Sequence, residues 1–339
     1  MTTPKGPPPP GEWNGWPFDF SGYPHDDYGP PLNYGVWMLT GLAAVFLGLR
    51  VYCKRLRRRG LWWDDYVLAA SWICLAAQTS LISLIITIGY GKHIWDFHPK
   101  DIPMFLLVSN TGGFFSILAA MWSKTSFALT VLRISDGWVK KAVWFMIVSI
   151  NVFMGFAALA TYIQCTPTRK LWSPFMAEGS CWPKQVVIDY NVFTAAYSGA
   201  MDIFLALLPW KIILTLSLNK KEKTGVLFAM SMGVFAGVIS FAKITQLQAI
   251  NKFDLSKHLP LVDRLMRHRT NNGLVDGVWL TVLGTAESSI TIMAASVPVL
   301  RALVRPAHPP MRGSFCNSAS MTSRTVTPGG GEVEKGVPA

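Results

Sequence analysis

The sequence predicts an all-α integral membrane protein, a bundle of seven transmembrane helices with the N-terminus outside and the C-terminus cytoplasmic. Of the 339 residues, 51% are hydrophobic and 15% are charged, whereas a soluble domain of this length carries more charge and shorter apolar runs. A helix needs about 20 apolar residues to cross a bilayer, and seven segments are close to this length. Most of the lysines and arginines cluster in segments between these runs, which is the pattern of cytoplasmic loops.

The orientation follows from the basic block that ends the first apolar segment and precedes the second. It consists of Arg50, Lys54, Arg55, Arg57, Arg58 and Arg59. Short loops rich in lysine and arginine remain cytoplasmic, so we expect this loop inside. A nucleic-acid-binding patch is the alternative interpretation of such a block. Long apolar runs flank it on both sides, so the implied partner is the lipid bilayer and no nucleic acid is expected.

The spans are expected near residues 34–53, 66–89, 105–133, 142–163, 187–209, 225–247 and 277–300. The basic block lies between the first and second spans, and an expected outer loop lies between the second and third. Lysines just before the fourth span, and others between the fifth and sixth spans, mark further cytoplasmic loops. The outer loop before the seventh span, 248–276, is also basic and is the exception to the charge pattern. Residues 1–33 are expected to form a disordered, Pro-rich extracellular tail, 34–303 the membrane domain, and 304–339 a disordered cytoplasmic tail.

Asp64 and Asp65 stand where the second helix is expected to begin, and they allow two interpretations. Carboxylates at a helix N-terminus accept hydrogen bonds from backbone N–H groups, so the pair is explained by capping alone. In the second interpretation the pair is a cytoplasmic anchor, salt-bridged to Arg50 or to loop cations, that acts as a switch.

Four ionisable residues fall inside apolar spans: Lys124, Asp202, Lys243 and Glu287. Each costs about 2.5–3.5 kcal/mol to insert at the centre of a span, so such residues are candidates for function. They form either a structural ion-pair network or a ligand or conformational-switch site. We expect Lys124 to pair with Asp202 or Glu287, because all three lie near the middle of their spans.

Cys165 and Cys181 share one expected outer loop, and the oxidising side of a membrane favours a disulfide between them. The seventh span contains no lysine that could bind retinal as a Schiff base. The sequence contains no recognisable catalytic set or metal-ligand cluster, since His93 and His98 five residues apart are a weak signal. We therefore expect a protein that is not an enzyme and has no cofactor and no metal.

These residues together resemble the fungal rhodopsin-domain membrane proteins, also called the satratoxin-cluster family, which are related to fungal surface-sensing receptor-like proteins. The resemblance covers about residues 34–303. The matching features are Arg50-x-Tyr52, Asp64-Asp65-Tyr66, Lys124-Thr125-Ser126, Arg133, Cys165-x-Pro167, Trp172, Gly179-x-Cys181, Asp202, Leu208-Pro209, Gly233, Lys243, Glu287 and Ala295-x-x-Pro298-x-Leu300-Arg301.

The resemblance implies a receptor-like protein, expected in the plasma membrane, that senses an unknown small-molecule or surface ligand and acts on a cytoplasmic signalling partner. The alternative is a membrane accessory protein of a secondary-metabolite pathway, in transport, tailoring or self-protection. The chain lacks the eight-cysteine extracellular domain of some surface-sensing relatives. Its stretch 251–276 is longer than the family pattern, which leaves a genuine loop or a gene-model artefact as interpretations.

Overall fold

Seven long helices make up most of the molecule. The computed structural model describes residues 10–13, 16–18, 27–56, 60–92, 98–133, 135, 137–173, 178–215, 220–250 and 273–304. Within these residues the helices are α1 Gly29–Leu56, α2 Trp63–Ile88, α3 Ile102–Leu132, α4 Gly137–Ile163, α5 Lys184–Thr215, α6 Lys220–Ile250 and α7 Gly273–Val304. Each is long and apolar enough to cross a membrane. The predicted all-α bundle of seven transmembrane helices is confirmed, and every predicted span coincides with one helix to within a few residues.

The N-terminal segment differs from the predicted disordered tail at two places. Strands β1 Pro10–Trp13 and β2 Trp16–Phe18 pair antiparallel inside it. The first helix begins at Gly29 rather than near residue 34, because the Asp27 carboxylate accepts a hydrogen bond of 2.8 Å from the Gly29 N–H. Two prolines follow in the first turn, where a backbone donor is not needed. The rest of that tail lies outside the described residues, as does the predicted C-terminal tail 304–339 except for Val304, which ends the last helix.

Successive helices run antiparallel, so the bundle has two ends. The α1–α2 connection lies at one, called the Arg50 end, and the α2–α3 connection at the other, called the Tyr90 end. Helix α3 packs against α2, α4, α5 and α7, while α7 packs against α1, α2, α3 and α6. Helices α3 and α7 are therefore central, and a buried polar group on either of them can reach several other helices.

Tyr90 fills the gap between α1, α3 and α7 at its end of the bundle. Its hydroxyl lies 3.0 Å from Thr281 Oγ1 on α7, and its ring packs against Phe105 at the start of α3. The neighbouring Gly91 has φ +98°, and a Cβ there would lie 2.5 Å from the Gly29 nitrogen. Burial raises the pKa of Tyr90 to about 12, although its hydrogen bond to Thr281 acts in the opposite direction. A neutral, hydrogen-bonded phenol therefore fills the space between α1, α3 and α7 at this end.

A disulfide bond cross-links the α4–α5 connection. Strands β3 Cys165–Thr166 and β4 Ser180–Cys181 pair antiparallel, and their two cysteines are bonded to each other. The Trp182 N–H extends the pairing by donating to the Gln164 carbonyl at 2.9 Å. The predicted Cys165–Cys181 bridge is thus confirmed, and it holds the start of α5 close to the end of α4.

Glycines bring α6 unusually close to α5. A Cβ on Gly233 would lie 2.8 Å from the Cβ of Ala206, and one on Gly237 would lie 3.1 Å from the Gly199 carbonyl oxygen. The spacing Gly233-x-x-x-Gly237 places both glycines on one face of α6, and small residues at this spacing let two membrane helices approach backbone to backbone. The approach holds α6 against the segment of α5 that carries Asp202.

Candidate functional site

The four predicted charged residues lie together in the bundle and are called here the central cluster: Lys124, Asp202, Lys243 and Glu287. Lys124 on α3 is fully buried, and its Nζ donates to Asp202 Oδ2 on α5 at 2.7 Å and to Glu287 Oε1 on α7 at 2.8 Å. The sequence predicted a pairing with one carboxylate or the other. The structure places both within hydrogen-bond distance of the same ammonium group, so one lysine connects three helices.

Glu287 receives two further hydrogen bonds. The Lys243 ammonium on α6 donates to Glu287 Oε2, and the Ser198 hydroxyl on α5 donates to Oε1 at 2.6 Å. Sequence reasoning missed Ser198. Its spacing of four residues from Asp202 was a usable signal, because side chains at i and i+4 share one face of a helix.

The central cluster is electrically neutral and mostly sealed from solvent. It holds two ammonium groups and two carboxylates, and the side chains of Lys124, Asp202 and Glu287 are 0%, 3% and 1% exposed. A buried charge is tolerated only when it is paired and hydrogen-bonded. Removal of any one charge leaves another uncompensated, so the cluster fixes the relative positions of α3, α5, α6 and α7.

A second group of charges lies at the Arg50 end and is called here the Arg50 cluster: Arg50, Lys54, Asp64 and Asp65. Arg50 on α1 is fully buried. Its Nε donates to Asp65 Oδ1 at 2.8 Å, and its terminal nitrogens donate to Asp64 Oδ2 and to the Ala295 carbonyl of α7. The planar guanidinium suits this task because it presents five donors in a fixed geometry.

Lys54 completes the Arg50 cluster, although the sequence analysis assigned it to the cytoplasmic basic loop. Only 7% of it is exposed, and its Nζ lies 2.6 Å from each oxygen of Asp65 and 3.2 Å from Asp64 Oδ2. Its position on α1, one turn after Arg50, was the available signal. Two cations and two carboxylates again sum to zero charge.

Capping and ion pairing of the acidic pair occur together. Asp65 Oδ2 accepts a hydrogen bond of 3.1 Å from the Trp62 N–H, so this carboxylate caps α2 while it binds Arg50 and Lys54. The Ser126 hydroxyl of α3 donates to the Asp64 carbonyl at 2.7 Å. The Arg50 cluster thereby connects α1, α2, α3 and α7.

The two clusters share α3 and α7. On α3, six residues separate Lys124 from Thr130, whose hydroxyl lies 3.4 Å from Arg50 Nη2. On α7, eight residues separate Glu287 from Ala295, whose carbonyl accepts from Arg50. At 1.5 Å per residue these separations are about 9 and 12 Å along the helices. A shift of either helix therefore acts on both clusters.

No metal-binding group is found in the part of the chain that the structure describes: no three His, Cys, Asp or Glu side chains there could hold an ion together. His98 lies in the described chain and His93 outside it. The chemistry available to the two clusters is ion pairing, hydrogen bonding and proton transfer between their carboxylates and ammonium groups.

Comparison with known proteins gives one family and one informative relative. The model of the fungal rhodopsin domain matches residues 49–306, which is more than half of the chain. The chain is 28% identical over 138 residues to satratoxin biosynthesis SC1 cluster protein 4 of Stachybotrys chartarum. That alignment covers 38% of this chain and 49% of the relative, so the chain spans about half the length of the curated relative that it matches. No solved structure matches the chain.

Proposed function

Because this chain belongs to the fungal rhodopsin domain family, we propose that it is a receptor-like membrane protein that converts an outer signal into a change of helix packing. Its integral, multi-pass character follows from the seven helices. The outer signal is a small-molecule or surface ligand, the responding surface binds a cytoplasmic signalling partner, and the protein resides in the plasma membrane and catalyses no reaction.

One observation carries the proposal: two neutral charge clusters share α3 and α7. A receptor needs an element with two packings and a ligand that binds one of them better. Ion pairs are suited to this, since an exchange of partners moves a helix without leaving a charge unpaired. A change at the central cluster is passed along α3 and α7 to the Arg50 cluster.

In the proposed orientation the Arg50 end is cytoplasmic and the Tyr90 end is outside. The basic block that ends α1 and continues into the loop after it supports this, because cations in short loops remain inside. N-glycosylation sites engineered into the N-terminal tail are expected to be glycosylated, and sites engineered at Lys220 are not. The reverse pattern would invert the assignment.

Cys53 offers a native reporter of the coupling. This buried thiol lies on α1 between Arg50 and Lys54, while Cys74 is a buried thiol of the apolar core on α2. In full-length protein in lipid nanodiscs, Lys124→Met is expected to raise the rate of thiol labelling at Cys53 about tenfold, which corresponds to about 1.4 kcal/mol. Peptide mass mapping reads each cysteine separately, and labelling at Cys74 is expected to stay unchanged.

The matched control is Lys141→Met, which removes an exposed lysine at the start of α4. A Lys124→Met protein that is folded, as judged by gel filtration and thermal unfolding, but labels Cys53 at the wild-type rate would contradict the coupling. Equal increases at Cys53 and Cys74 would also contradict it, since they would indicate general loosening of the bundle.

A second candidate function rests on the relative. The name of the Stachybotrys chartarum protein places that protein in a biosynthetic cluster, which favours an accessory role for this chain in a secondary-metabolite pathway. The test is a deletion strain. Changed export of, or tolerance to, a metabolite with normal responses to external signals would favour the accessory role, whereas a lost response with an unchanged metabolite profile would favour the receptor.

A further inference from the structure

Helix α4 turns one side toward the lipid along its length. Val148, Val152 and Leu159 are each more than half exposed, and steps of four and seven residues place them in one line along a helix. Ile147 and Ile150, on the opposite side, are buried. The packing partners of α4 among the helices are α3 and α5. The line of exposed side chains is called here the lipid face of α4.

Lys141 lies on the lipid face. It is exposed and stands seven residues before Val148, and Trp138 and Phe145, one turn away on either side, are largely exposed as well. Lys141 forms no ion pair with any residue that the structure describes, and the first turn of α4 holds no acidic side chain. The helix dipole also disfavours a cation near an N-terminus. Contacts within the described chain therefore leave this charge without a counter-ion.

The length of α4 places the Lys141 ammonium at the level of the lipid headgroups. The helix has 27 residues, which is about 40 Å at 1.5 Å per residue, whereas the hydrocarbon core is about 30 Å thick. A helix centred in the bilayer thus extends about one turn beyond the core at each end. Lys141 follows Gly137, where α4 begins, by four residues. Helical side chains lean toward the N-terminus, so the lysine stem reaches from the edge of the core toward the phosphates.

We infer that Lys141 binds the phosphate of an acidic phospholipid, one whose headgroup carries no compensating cation. An ammonium group and a phosphate form charge-assisted hydrogen bonds. In phosphatidylcholine the choline already offsets the phosphate charge, so charge complementarity favours the acidic lipid. In the proposed orientation α4 begins in the cytoplasmic leaflet, which is rich in acidic lipids. The inference goes beyond the receptor proposal and does not depend on it.

Neighbouring side chains on the lipid face complete the site. Trp138 and Trp144 stand three residues before and after Lys141, and both are at least half exposed. An indole N–H is a hydrogen-bond donor and settles at the headgroup level, which gives the headgroup oxygens a second donor. Phe145 and Val148 lie deeper and provide apolar surface for the acyl chain. One side of one helix therefore contacts both the headgroup and the chain of a single lipid.

Lys140 is the matched control. It is exposed, carries the same charge and adjoins Lys141 in sequence. Val143 and Ile147, three and seven residues after it, are buried, so Lys140 lies to the side of the lipid face. General attraction between a basic protein end and acidic lipids would depend equally on both lysines. Binding on the lipid face depends on Lys141.

Native mass spectrometry of the full-length protein in detergent measures the binding of each lipid. Dioleoylphosphatidylglycerol is the probe, and dioleoylphosphatidylcholine, with the same acyl chains, is its control. Wild type is expected to bind the phosphatidylglycerol more tightly. Lys141→Met is expected to raise its apparent Kd about fivefold, the equivalent of about 1 kcal/mol for one basic residue at an anionic surface. Lys141→Arg is expected to retain binding, because it keeps the charge, and Lys140→Met to change the Kd less than about twofold.

Three results would each overturn the inference: equal affinity of wild type for the two lipids, equal losses in Lys141→Met and Lys140→Met, or an unchanged Kd in Lys141→Met. Thermal unfolding verifies that each variant is folded. The outcome is separable from that of the receptor, because the lipid face points away from α3, and Lys141→Met is expected to leave Cys53 labelling at the wild-type rate. Loss of the lipid preference with an intact effect of Lys124→Met on Cys53 would overturn the lipid site alone.

Discussion

Lys124 Nζ lies 2.8 Å from Glu287 Oε1 and joins the two central helices, α3 and α7, inside the bundle. The same ammonium group binds Asp202 on α5, and Glu287 also binds Lys243 on α6. Lys124 and Glu287 therefore each compensate two partners. The energetic consequence is that removal of one member and removal of two have different costs, because the second removal can restore neutrality.

The first prediction is a double-mutant cycle on Lys124 and Asp202. Lys124→Met and Asp202→Asn are each expected to lower the free energy of unfolding by about 3–5 kcal/mol, since each leaves one uncompensated buried charge. The double variant is expected to lose less than the sum, because it is neutral and retains the Lys243–Glu287 pair. Thermal unfolding in detergent measures all four corners of the cycle.

The Lys124→Met and Glu287→Gln cycle provides the comparison. It is also neutral when both changes are combined, but it leaves Asp202 and Lys243 without the partners seen here. We expect a smaller recovery for this pair than for Lys124 with Asp202. Strict additivity in both cycles would mean that the central cluster has no energetic coupling.

The second prediction concerns the guanidinium of Arg50. Arg50→Lys keeps the charge but loses the geometry that reaches Asp64, Asp65 and the Ala295 carbonyl together. We expect a loss of about 2–4 kcal/mol in the free energy of unfolding, in the range for a buried ion pair that loses partners. Arg55→Lys, at an exposed position on the same helix, is expected to change it by less than about 0.5 kcal/mol. Equal effects of the two substitutions would show that the planar geometry of the Arg50 guanidinium is not required for stability.

The sequence was sufficient for the helices, for the identity of the central charges and for the pairing of Lys124 with Asp202 or Glu287. It was insufficient for the further contacts of Ser198 and Lys54. Apolar length and loop charge predicted seven spans because the bilayer imposes one dominant constraint on a helix. Lys124 and Glu287 were recognisable because a charge in a span is costly. Their meeting depends on the rotation of each helix, which no local pattern determines. No sequence signal marks the Ala295 carbonyl as a partner of Arg50, since any residue has a backbone acceptor. Lys54 could not be distinguished in the sequence from the neighbouring loop cations.

The third prediction tests the close approach of α5 and α6. Gly233→Ala places a methyl group 2.8 Å from the Cβ of Ala206, which is attached to the backbone and cannot rotate away. The helices must separate, and we expect a loss of about 1–3 kcal/mol in stability from overpacking. Gly41→Ala on α1, where a Cβ would meet nothing within 4 Å, is expected to be neutral or slightly stabilising because alanine favours a helix. Thermal unfolding compares the two, and an unchanged midpoint for Gly233→Ala would refute the close packing.

The last prediction uses the pH dependence that Tyr90 imposes on stability. Burial raises the pKa of Tyr90 to about 12, whereas an unfolded tyrosine has a pKa of about 10. Between these values the unfolded chain releases the phenolic proton and the folded chain keeps it, so stability falls as pH rises through this window. The full effect of two pKa units is about 2.7 kcal/mol.

Tyr90→Phe removes the titrating group and keeps the ring, at a constant cost of about 1 kcal/mol for the hydrogen bond to Thr281. The stability difference between wild type and Tyr90→Phe is therefore expected to shrink and change sign between pH 10 and 12, as measured by chemical unfolding at each pH. Tyr34→Phe, at a tyrosine that is 77% exposed, is expected to follow the wild type throughout. A difference between wild type and Tyr90→Phe that stays constant from pH 9 to 12 would mean that this phenol is not sealed between α1, α3 and α7 in the folded protein.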